Sequence, residues 1–356
     1  MSISPGDINV GGRVRDGFPA LQPVNFALAQ NPFGSMTSVD PNFKPSFANQ
    51  FNLTVEHEIT AWALVLKTAV VGNSGRDLYN TYNANQAIPG STAVNSRRPL
   101  FAIAPLLADV NYFTSNGVSD YYALQVTVDK RLSKGLNGLL GYTWSHALDN
   151  VPLEFGGGSS GPLPQDPRFL NNERGNSIID LRHRLTMSYL YQLPFGKGQA
   201  LLNYGGLVNQ ILGGWQTNGI LTAQSGLPFT PTLNSATVNT GTGSRPDSTG
   251  SKGNNPHTLQ RWFDPTVFTS PALYVYGNSG RNVLFGPGRV NWDMSLFKNF
   301  VIRDQMRFEF RAEAFNIFNH AQFGQPNGAI GNAQVGTITS TVGNPRQLQM
   351  GLRFQF

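Results

Sequence analysis

The sequence predicts an all-β fold, and three observations support this prediction. Only 13% of the 356 residues are charged, about half of the share of about 25% that is usual in globular proteins. Aromatic residues make up 11% of the chain and glycine occupies 39 positions. Apolar and polar side chains alternate over stretches of about ten residues, and a period of two is the side-chain spacing of a β-strand. We therefore expect long strands joined by polar loops.

The composition also excludes several classes of protein. The chain has no cysteine, so it is neither a disulfide scaffold nor a thiolate metal protein. Its longest apolar run, residues 61–71, contains Lys67 and is shorter than the roughly 20 residues of a membrane-spanning helix. The net charge of +6 is spread along the chain, which indicates no nucleic-acid partner.

The C-terminal segment has the clearest strand pattern. Its apolar face consists of Leu348, Met350, Leu352, Phe354 and Phe356, which alternate with Gln347, Gln349, Gly351, Arg353 and Gln355. Strands of soluble sheets average about five or six residues, whereas a strand that crosses a membrane needs about 9–11. The length of this segment favours a transmembrane strand.

Similar patterns upstream bring the prediction to about nine strands. In chain order, the apolar faces consist of Phe51, Leu53, Val55 and Ile59; Trp62, Leu64, Leu66 and Val70; Tyr122, Leu124, Val126, Val128 and Leu132; Leu136, Leu140, Tyr142, Trp144 and Leu148; Leu181, Leu185, Met187, Tyr189, Tyr191 and Leu193; Val290, Trp292, Met294, Leu296, Phe300 and Ile302; and Met306, Phe308, Phe310, Ala312 and Ala314. The segment 214–226 is included although neither of its faces is cleanly apolar.

The joins between these strands alternate in length. Tight turns are predicted near Thr60, at 133–135 and at 303–305, and a medium join at 193–213. Long loops are predicted at about 73–119, 149–177, 227–288 and 320–345, including the glycine-rich run 156–161. Outer-membrane barrels have short periplasmic turns and long extracellular loops. We therefore predict a transmembrane antiparallel β-barrel with long extracellular loops and a periplasmic C-terminus. A β-sandwich, the soluble alternative, has no reason to sort its loops by length.

Six sequence blocks extend this prediction to a family. They read GLLGYTWSHALDN, DLRHRLTMSYLYQLPFGKG, GGWQTNGILTAQSGLPFT, GPGRVNWDMSLFKNF, FRAEAFNIFNH and NPRQLQMGLRFQF. In this order they resemble the C-terminal barrel of TonB-dependent outer-membrane receptors, most of all the Oar-like subfamily, over residues 47–356. The resemblance implies a location in the outer membrane of a Gram-negative type of cell, no enzymatic activity and no cofactor. It also implies energised uptake of a solute that the sequence does not identify, through a barrel whose N-terminal plug is pulled by TonB.

The chain departs from the family pattern in ways that predict a fragment. Its first residues, Met1–Pro5, lack the pattern of a signal peptide, and no segment fits a plug. Nine strands is an odd number, while single-chain bacterial barrels have an even number. We expect residues 1–46 to be the remnant of an extracellular loop, and residues 47–356 to be the C-terminal part of a larger barrel.

Two sets of residues are candidate functional sites. Arg307, Glu309, Arg311 and Glu313 share one face of a strand, and we expect them to form a charge ladder that faces the lumen and pairs with neighbouring strands. The alternative is contact with a plug domain or a solute path. The strand that ends in Leu348, Met350, Leu352, Phe354 and Phe356 resembles the signal that the barrel-assembly machinery reads by strand pairing, a form of β-augmentation. The alternative is that Phe356 is only an interfacial anchor.

Aromatic residues predict contact with outer-membrane lipid. Trp144, Trp215, Trp292, Tyr142 and Tyr189 are expected to lie in the girdles at the level of the lipid headgroups. The loop aromatics Trp262 and Tyr274 cannot be assigned to solute binding or to packing by sequence.

Four short motifs are weak candidates for chemistry. Ser295 and Lys298 have the Ser-x-x-Lys spacing of penicillin-recognising enzymes, but on a strand they point to opposite faces. Two sets of residues are possible metal ligands: Glu56–His57–Glu58, and Asp180 with His183. On a strand, the members of each set also point to opposite faces. The run Gly196–Lys197–Gly198 lacks the flanking residues of a phosphate loop. We therefore predict no catalytic, metal or cofactor site. The alternatives to a transporter are a barrel for surface adhesion or sensing and, less favoured, a secreted β-sandwich.

Overall fold

Nine long strands form one antiparallel sheet in a computed structural model, which describes residues 36–151, 164–203, 205–251, 253–303 and 306–356. The strands are β1 Phe47–Ile59, β2 Leu64–Asn83, β3 Val110–Ser133, β4 Leu136–Asp149, β5 His183–Gln192, β6 Trp215–Gln224, β7 Arg289–Arg303, β8 Met306–Phe315 and β9 Gln347–Gln355. Each strand pairs with the next along the chain, which confirms the predicted all-β antiparallel fold of about nine strands. Within the described residues the sheet is open, with β1 and β9 at its edges. No described helix has the length and apolarity needed to cross a membrane.

The register brings the predicted apolar positions together on one side of the sheet. Leu140 of β4 lies opposite Val128 of β3 and Met187 of β5, and Phe310 of β8 lies opposite Leu352 of β9. The same alignment continues across all eight strand pairs. We call this side the apolar face and the other side the polar face. Because a shift of one residue would exchange the faces, the alternation and the pairing determine each other.

Three short joins and the medium join lie at one end of the sheet, which we call the end with the short joins. Lys134 and Gly135 have φ angles of 51° and 78° and form the two-residue turn that suits a twisted hairpin. Residues Thr60–Trp62 form a 3₁₀ turn, so Trp62 precedes β2 and is not part of it. Arg303 pairs with Met306, while residues 304–305 of the predicted turn lie outside the described residues. The join between β5 and β6 contains the helix α1, Gly206–Leu212.

The long joins lie at the opposite end of the sheet. The join between β2 and β3 is shorter than predicted. Strands β2 and β3 extend to Asn83 and from Val110, so both ends of the predicted loop 73–119 are strand and the join itself is residues 84–109. Their outer parts contain buried polar residues such as Asn80 and Thr114. Asn80 donates to the Asn116 side chain at 2.9 Å and Thr114 donates to Asp40 at 3.2 Å, and the alternation that marks a membrane strand is missing there. The glycine-rich run 156–161 lies outside the described residues.

The long joins contain short elements of their own. These are the strands Met36–Val39, Gly175–Asn176, Pro228–Phe229, Thr232–Leu233, Asp247–Ser248, Phe268–Thr269, Leu284–Phe285 and Ala329–Ile330, and the 3₁₀ turns Asn95–Arg97, Leu170–Glu173 and Pro265–Val267. The strand Met36–Val39 pairs in parallel with the outer end of β3. Residues 36–46 of the predicted loop remnant thus lie at the end with the long joins, and residues 1–35 lie outside the described part.

Aromatic and aliphatic side chains form a hydrophobic core within the loops. Phe263, Phe268 and Ile330 are buried together, with Phe229 and Trp262 packed against them. Phe229 and Phe263 meet edge to face with ring centroids 5.9 Å apart. The strand Thr232–Leu233 pairs with Ala329–Ile330, so the join after β6 and the join after β8 fold as one body.

Candidate functional site

The candidate site is the end of the sheet where the long joins pack on one another. We call the described residues 84–109, 164–182, 225–251, 253–288 and 316–346 the loop assembly. It lies over one end of the strands, and the polar face continues from it toward the short joins.

Buried ion pairs hold the loop assembly together. The Arg281 guanidinium pairs with the Asp149 carboxylate, and its Nε donates to the carbonyl oxygen of Glu173 at 2.8 Å. Arg245 donates to both carboxylate oxygens of Glu173, at 2.7 and 3.0 Å. All four side chains are buried. Removal of one partner would leave a buried charge unpaired, which costs about 3–5 kcal/mol.

Neutral hydrogen bonds join a third loop to this cluster. Gln86, in the join after β2, donates to the carbonyl oxygen of Gln165 at 2.8 Å and to the hydroxyl of Tyr276 at 3.0 Å. Burial raises the pKa of Tyr276, so its side chain is a neutral hydroxyl at physiological pH. Asn239 donates to the carbonyl oxygen of Gly90 at 2.9 Å. Loops from three separate joins are therefore fixed to one another.

Two cavities open within this region. One of about 290 Å³ is lined by residues of the ion-pair cluster and by hydroxyl groups, including Arg245, Arg281, Thr230, Thr232 and Thr242. The other, of about 380 Å³, lies between the polar face and the join after β8, and its lining residues include Thr222, Arg289, Asn291, Asp293, Asn316 and Gln322. Their volumes are at the lower end of those that hold small molecules. Both linings combine polar groups with apolar surface.

The predicted charge ladder lies on the polar face of β8. Arg311 Nη2 is 2.9 Å from Glu309 Oε1, and its Nη1 is 3.9 Å from Glu313 Oε1. In the register, Glu309 lies opposite Arg353 and Arg307 lies opposite Gln355. A groove of about 260 Å³ runs along Glu309, Arg311, Glu313 and Arg353. Such partly exposed ion pairs add little stability. The orientation of these side chains toward a lumen and their contact with a plug stay predictions.

The predicted assembly signal forms the last strand. Leu348, Met350, Leu352, Phe354 and Phe356 are all exposed, and the rings of Phe354 and Phe356 stack with centroids 6.0 Å apart. Strand β9 pairs with β8 along one edge, and no described strand pairs with its other edge. An edge of this kind is what strand addition requires, but recognition by the assembly machinery stays a prediction.

The five predicted girdle aromatics all lie on the apolar face. The register places Trp144 opposite Leu124, Tyr142 opposite Val126, and Trp292 opposite Leu221. Tyr189 lies opposite Gly219, where an added Cβ would come within 2.9 Å of both the Tyr189 ring and Trp292 Nε1. The two rings therefore cover a glycine on this face. Trp215 lies opposite Lys298.

The structure separates the residues of the weak chemical motifs. Ser295 donates to Asn218 on the polar face, whereas the Lys298 ammonium donates to the carbonyl oxygen of Ile211 at 2.9 Å. Glu56 pairs with Lys67 at 3.0 Å and Glu58 pairs with Arg131 at 2.7 Å. 

The other two motifs have equally ordinary partners. Asp180 accepts hydrogen bonds from the Ala147 N–H and from Arg182 Nε, both at 2.7 Å, while His183 Nδ1 is 2.8 Å from the Tyr142 hydroxyl. The N–H of Lys197 donates to the Asn209 side chain at 2.7 Å. The join around Gly196–Gly198 does contain a short helix, α1, although the sequence predicted none.

The ion-pair cluster was not predicted from the sequence. Glu173 and Arg245 are 72 positions apart, and Asp149 and Arg281 are 132 apart, so no local periodicity connects them. The only available signal was the low charge content of 13%. In such a chain, each charged residue in a long loop is a candidate for an ion pair. The loop aromatic Trp262 packs against the loop core and donates to the carbonyl oxygen of Phe285 at 2.8 Å.

Comparisons with solved structures give outer-membrane proteins with low similarity. The chain aligns with the outer membrane transporter YddB from Escherichia coli at 9% identity and a TM-score of 0.47, covering 88% of this chain and 33% of that one. The FrpB iron transporter from Neisseria meningitidis aligns at 12% identity and a TM-score of 0.41, with 90% and 33% covered. BauA, the ferric preacinetobactin receptor from Acinetobacter baumannii, aligns at 11% identity and a TM-score of 0.41. This alignment covers 87% of this chain and 29% of that one. The chain thus spans about a third of the length of these proteins.

Comparisons of sequence are more decisive. A search of curated proteins finds no match. The sequence model of the outer membrane beta barrel domain matches residues 3–349, nearly the whole chain. This match agrees with the open antiparallel sheet and its continuous apolar face. The chain therefore belongs to the outer membrane beta barrel domain family.

Proposed function

We propose that this chain forms part of the wall and the solute-binding mouth of a TonB-dependent outer-membrane receptor, which takes up a solute across the outer membrane. One observation carries the proposal: nine antiparallel strands share one apolar face and have their long joins packed together at one end. An apolar outer band and paired backbone are what a strand wall needs in lipid. A packed set of loops at one end is suited to hold a solute at an entrance.

The orientation follows from the general plan of bacterial barrels. Long loops lie outside the cell and short turns in the periplasm, so we place the loop assembly outside and the C-terminus in the periplasm. The polar face then lines the interior, with Arg307, Glu309, Arg311 and Glu313 along the wall that meets the plug or the solute. The six sequence blocks that resemble TonB-dependent receptors support energised transport.

The edges of the sheet require further strands. A wall in lipid must close, because an unpaired edge would leave backbone N–H and C=O groups without partners. In our proposal, strands from the rest of a longer receptor pair with β1 and β9, and the plug belongs to that part as well. Residues 1–46 then contribute to the extracellular side.

Binding to TonB tests the transport function directly. The full-length receptor, purified in detergent, is expected to retain the periplasmic domain of TonB on a column, and a variant without its plug segment is expected to lose this binding. Absence of binding by both forms would contradict the proposal.

A surface barrel for adhesion or sensing is the second candidate, because the buried ion pairs give the loop assembly a fixed outer shape. Such a barrel would sit in the outer membrane without binding TonB, so the same column separates the two candidates.

A further inference from the structure

The helix α1 exposes an apolar surface that the wall does not cover. Four of its seven residues are apolar and exposed: Leu207 by 77%, Val208 by 44%, Ile211 by 64% and Leu212 by 42%. At about 100° per residue, these four side chains fall within an arc of about 140°. Asn209 and Gln210 lie outside this arc. The helix therefore has one apolar side, and it contains no charged residue.

The C-terminal end of α1 is attached to the apolar face of the wall. The ammonium group of Lys298 donates to the carbonyl oxygens of Gln210 and Ile211, and Trp215 Nε1 donates to the Ile211 oxygen at 2.9 Å. Both Lys298 and Trp215 lie on the apolar face, opposite each other in the register. The helix is thus placed outside the wall, beside its apolar band.

Lys298 explains why a helix ends at this point. Its side chain is only 3% exposed although it lies on an apolar face. A lysine there would be costly without partners, but the free carbonyl groups at the C-terminus of a helix attract a cation. The rings of Trp215 and Phe300, with centroids 5.4 and 4.7 Å from Nζ, cover the ammonium further. Because a helix of seven residues is marginal by itself, we assign Lys298 as the residue that positions α1.

The position of α1 indicates what covers its apolar side. This side is continuous with the apolar face of the wall through Trp215, and it lies at the end of the sheet with the short joins. Two further exposed apolar residues, Leu201 and Leu202, precede it in the same join. Exposed apolar patches of this kind mark contact surfaces. Beside the apolar face of a wall in lipid, the apolar side of a helix can be buried in the membrane interface.

We propose that α1 is a membrane-surface helix, which inserts Leu207, Val208, Ile211 and Leu212 into the phospholipid leaflet on the side of the short joins. Under the proposed function, on whose orientation this step rests, that leaflet is the periplasmic one. The occupant is phospholipid, and cover by another part of the receptor is an alternative outcome of the test below.

Spin labels measure the depth of the helix. The chain has no cysteine, so Val208→Cys, Ile211→Cys and the control Gln210→Cys each provide a single labelling site if the full-length receptor is otherwise free of cysteine. Val126→Cys, on the apolar face of β3, reports the wall. The receptor is reconstituted in vesicles of phosphatidylethanolamine and phosphatidylglycerol. The ratio of collisions with oxygen to collisions with a water-soluble nickel complex is then recorded.

We expect this ratio to be several-fold higher at 208 and 211 than at 210. Equal ratios at the three helix positions, with the label at 126 in lipid, would overturn the inference and leave the proposed function intact. A label at 126 that is exposed to water would overturn both. Labels at 208 and 211 that are shielded from both reagents would show that another part of the receptor covers this side of α1 and would overturn the lipid assignment.

Lys298→Met tests the role of the lysine in positioning the helix. With the label at 211, this variant is expected to lose the restricted motion of the nitroxide and its high collision ratio, whereas Lys298→Arg retains both. The label at 126 checks that the wall has formed. An unchanged signal at 211 in Lys298→Met would show that the lysine does not position α1.

Discussion

A charge on the apolar face should destabilise the wall far more than the same charge one residue away. Met187 and Ser188 are the central residues of β5 and have described strands on both sides. Met187 lies opposite Leu140 and Leu221 on the apolar face. Ser188 lies opposite Leu139 and Ile220 on the polar face. Replacement of each by arginine therefore places the same charge on opposite faces of one strand.

The expected difference can be estimated from the cost of arginine in lipid. An arginine at the midplane of a barrel wall costs about 2–4 kcal/mol, while an exposed substitution elsewhere usually changes stability by less than about 0.5 kcal/mol. At 1.36 kcal/mol per factor of ten, Met187→Arg should lower the ratio of folded to unfolded protein by about 30-fold to 900-fold. Ser188→Arg should change this ratio by about twofold or less.

Urea titration of the full-length receptor in lipid vesicles, followed by tryptophan fluorescence, measures both variants against the parent protein. The free energy of unfolding is obtained by linear extrapolation. Equal losses for Met187→Arg and Ser188→Arg would refute the assignment of the two faces. A larger loss for Ser188→Arg would reverse it.

Three further predictions test the loops and the terminus. A protease added to whole cells should cut the exposed stretch 253–260 of the loop assembly, while the turn at Lys134–Gly135 should be cut only after the outer membrane is permeabilised; cleavage of that turn in intact cells would contradict the proposed orientation. Deletion of Phe356 from the full-length receptor should cause its accumulation and degradation in the periplasm if the residue is an assembly signal, and normal assembly with a lower melting temperature would support the anchor instead. The pKa of Asp264 is held below its usual range by the Asn254 N–H, by the Thr266 hydroxyl and N–H, and by Arg261, so its contribution to loop stability is complete above about pH 3.9 and is lost as the pH falls through the lowered pKa. Asp264→Asn should therefore reduce amide-exchange protection of 254–268 already at pH 7, and unchanged protection there would contradict this role.

The sequence predicted the wall well because the surroundings impose a simple rule on it. Each strand in lipid needs apolar side chains at alternate positions, so Leu348 to Phe354 and Tyr122 to Val128 carry the signal in their own segments. The segment 214–226 had the weakest pattern, because Thr217 and Gly219 interrupt the apolar face of β6. Lys298 interrupted the pattern of β7, and the structure explains the interruption by its contact with α1.

The parts that were missed depend on contacts between distant residues. The outer halves of β2 and β3 pair over Asn80–Asn83 and Asn111–Thr114, where buried side chains are polar and no alternation appears. The pair Arg245–Glu173 joins two loops, and neither segment contains a motif that requires the other. The helix α1 is too short for a recognisable period and forms against residues of β7. In each case the determining partner lies far away in the chain.

The buried ion pairs also bear on how an entrance of this kind could open. Asp149 belongs to the end of a wall strand, Glu173 to the join after β4, and Arg245 and Arg281 to the join after β6. A loop linked in this way cannot move outward alone, because its movement would leave the buried charges of neighbouring loops without partners. Local opening should then occur in one cooperative unit that spans several joins, and a ligand that touches one loop would alter the exchange kinetics of all of them.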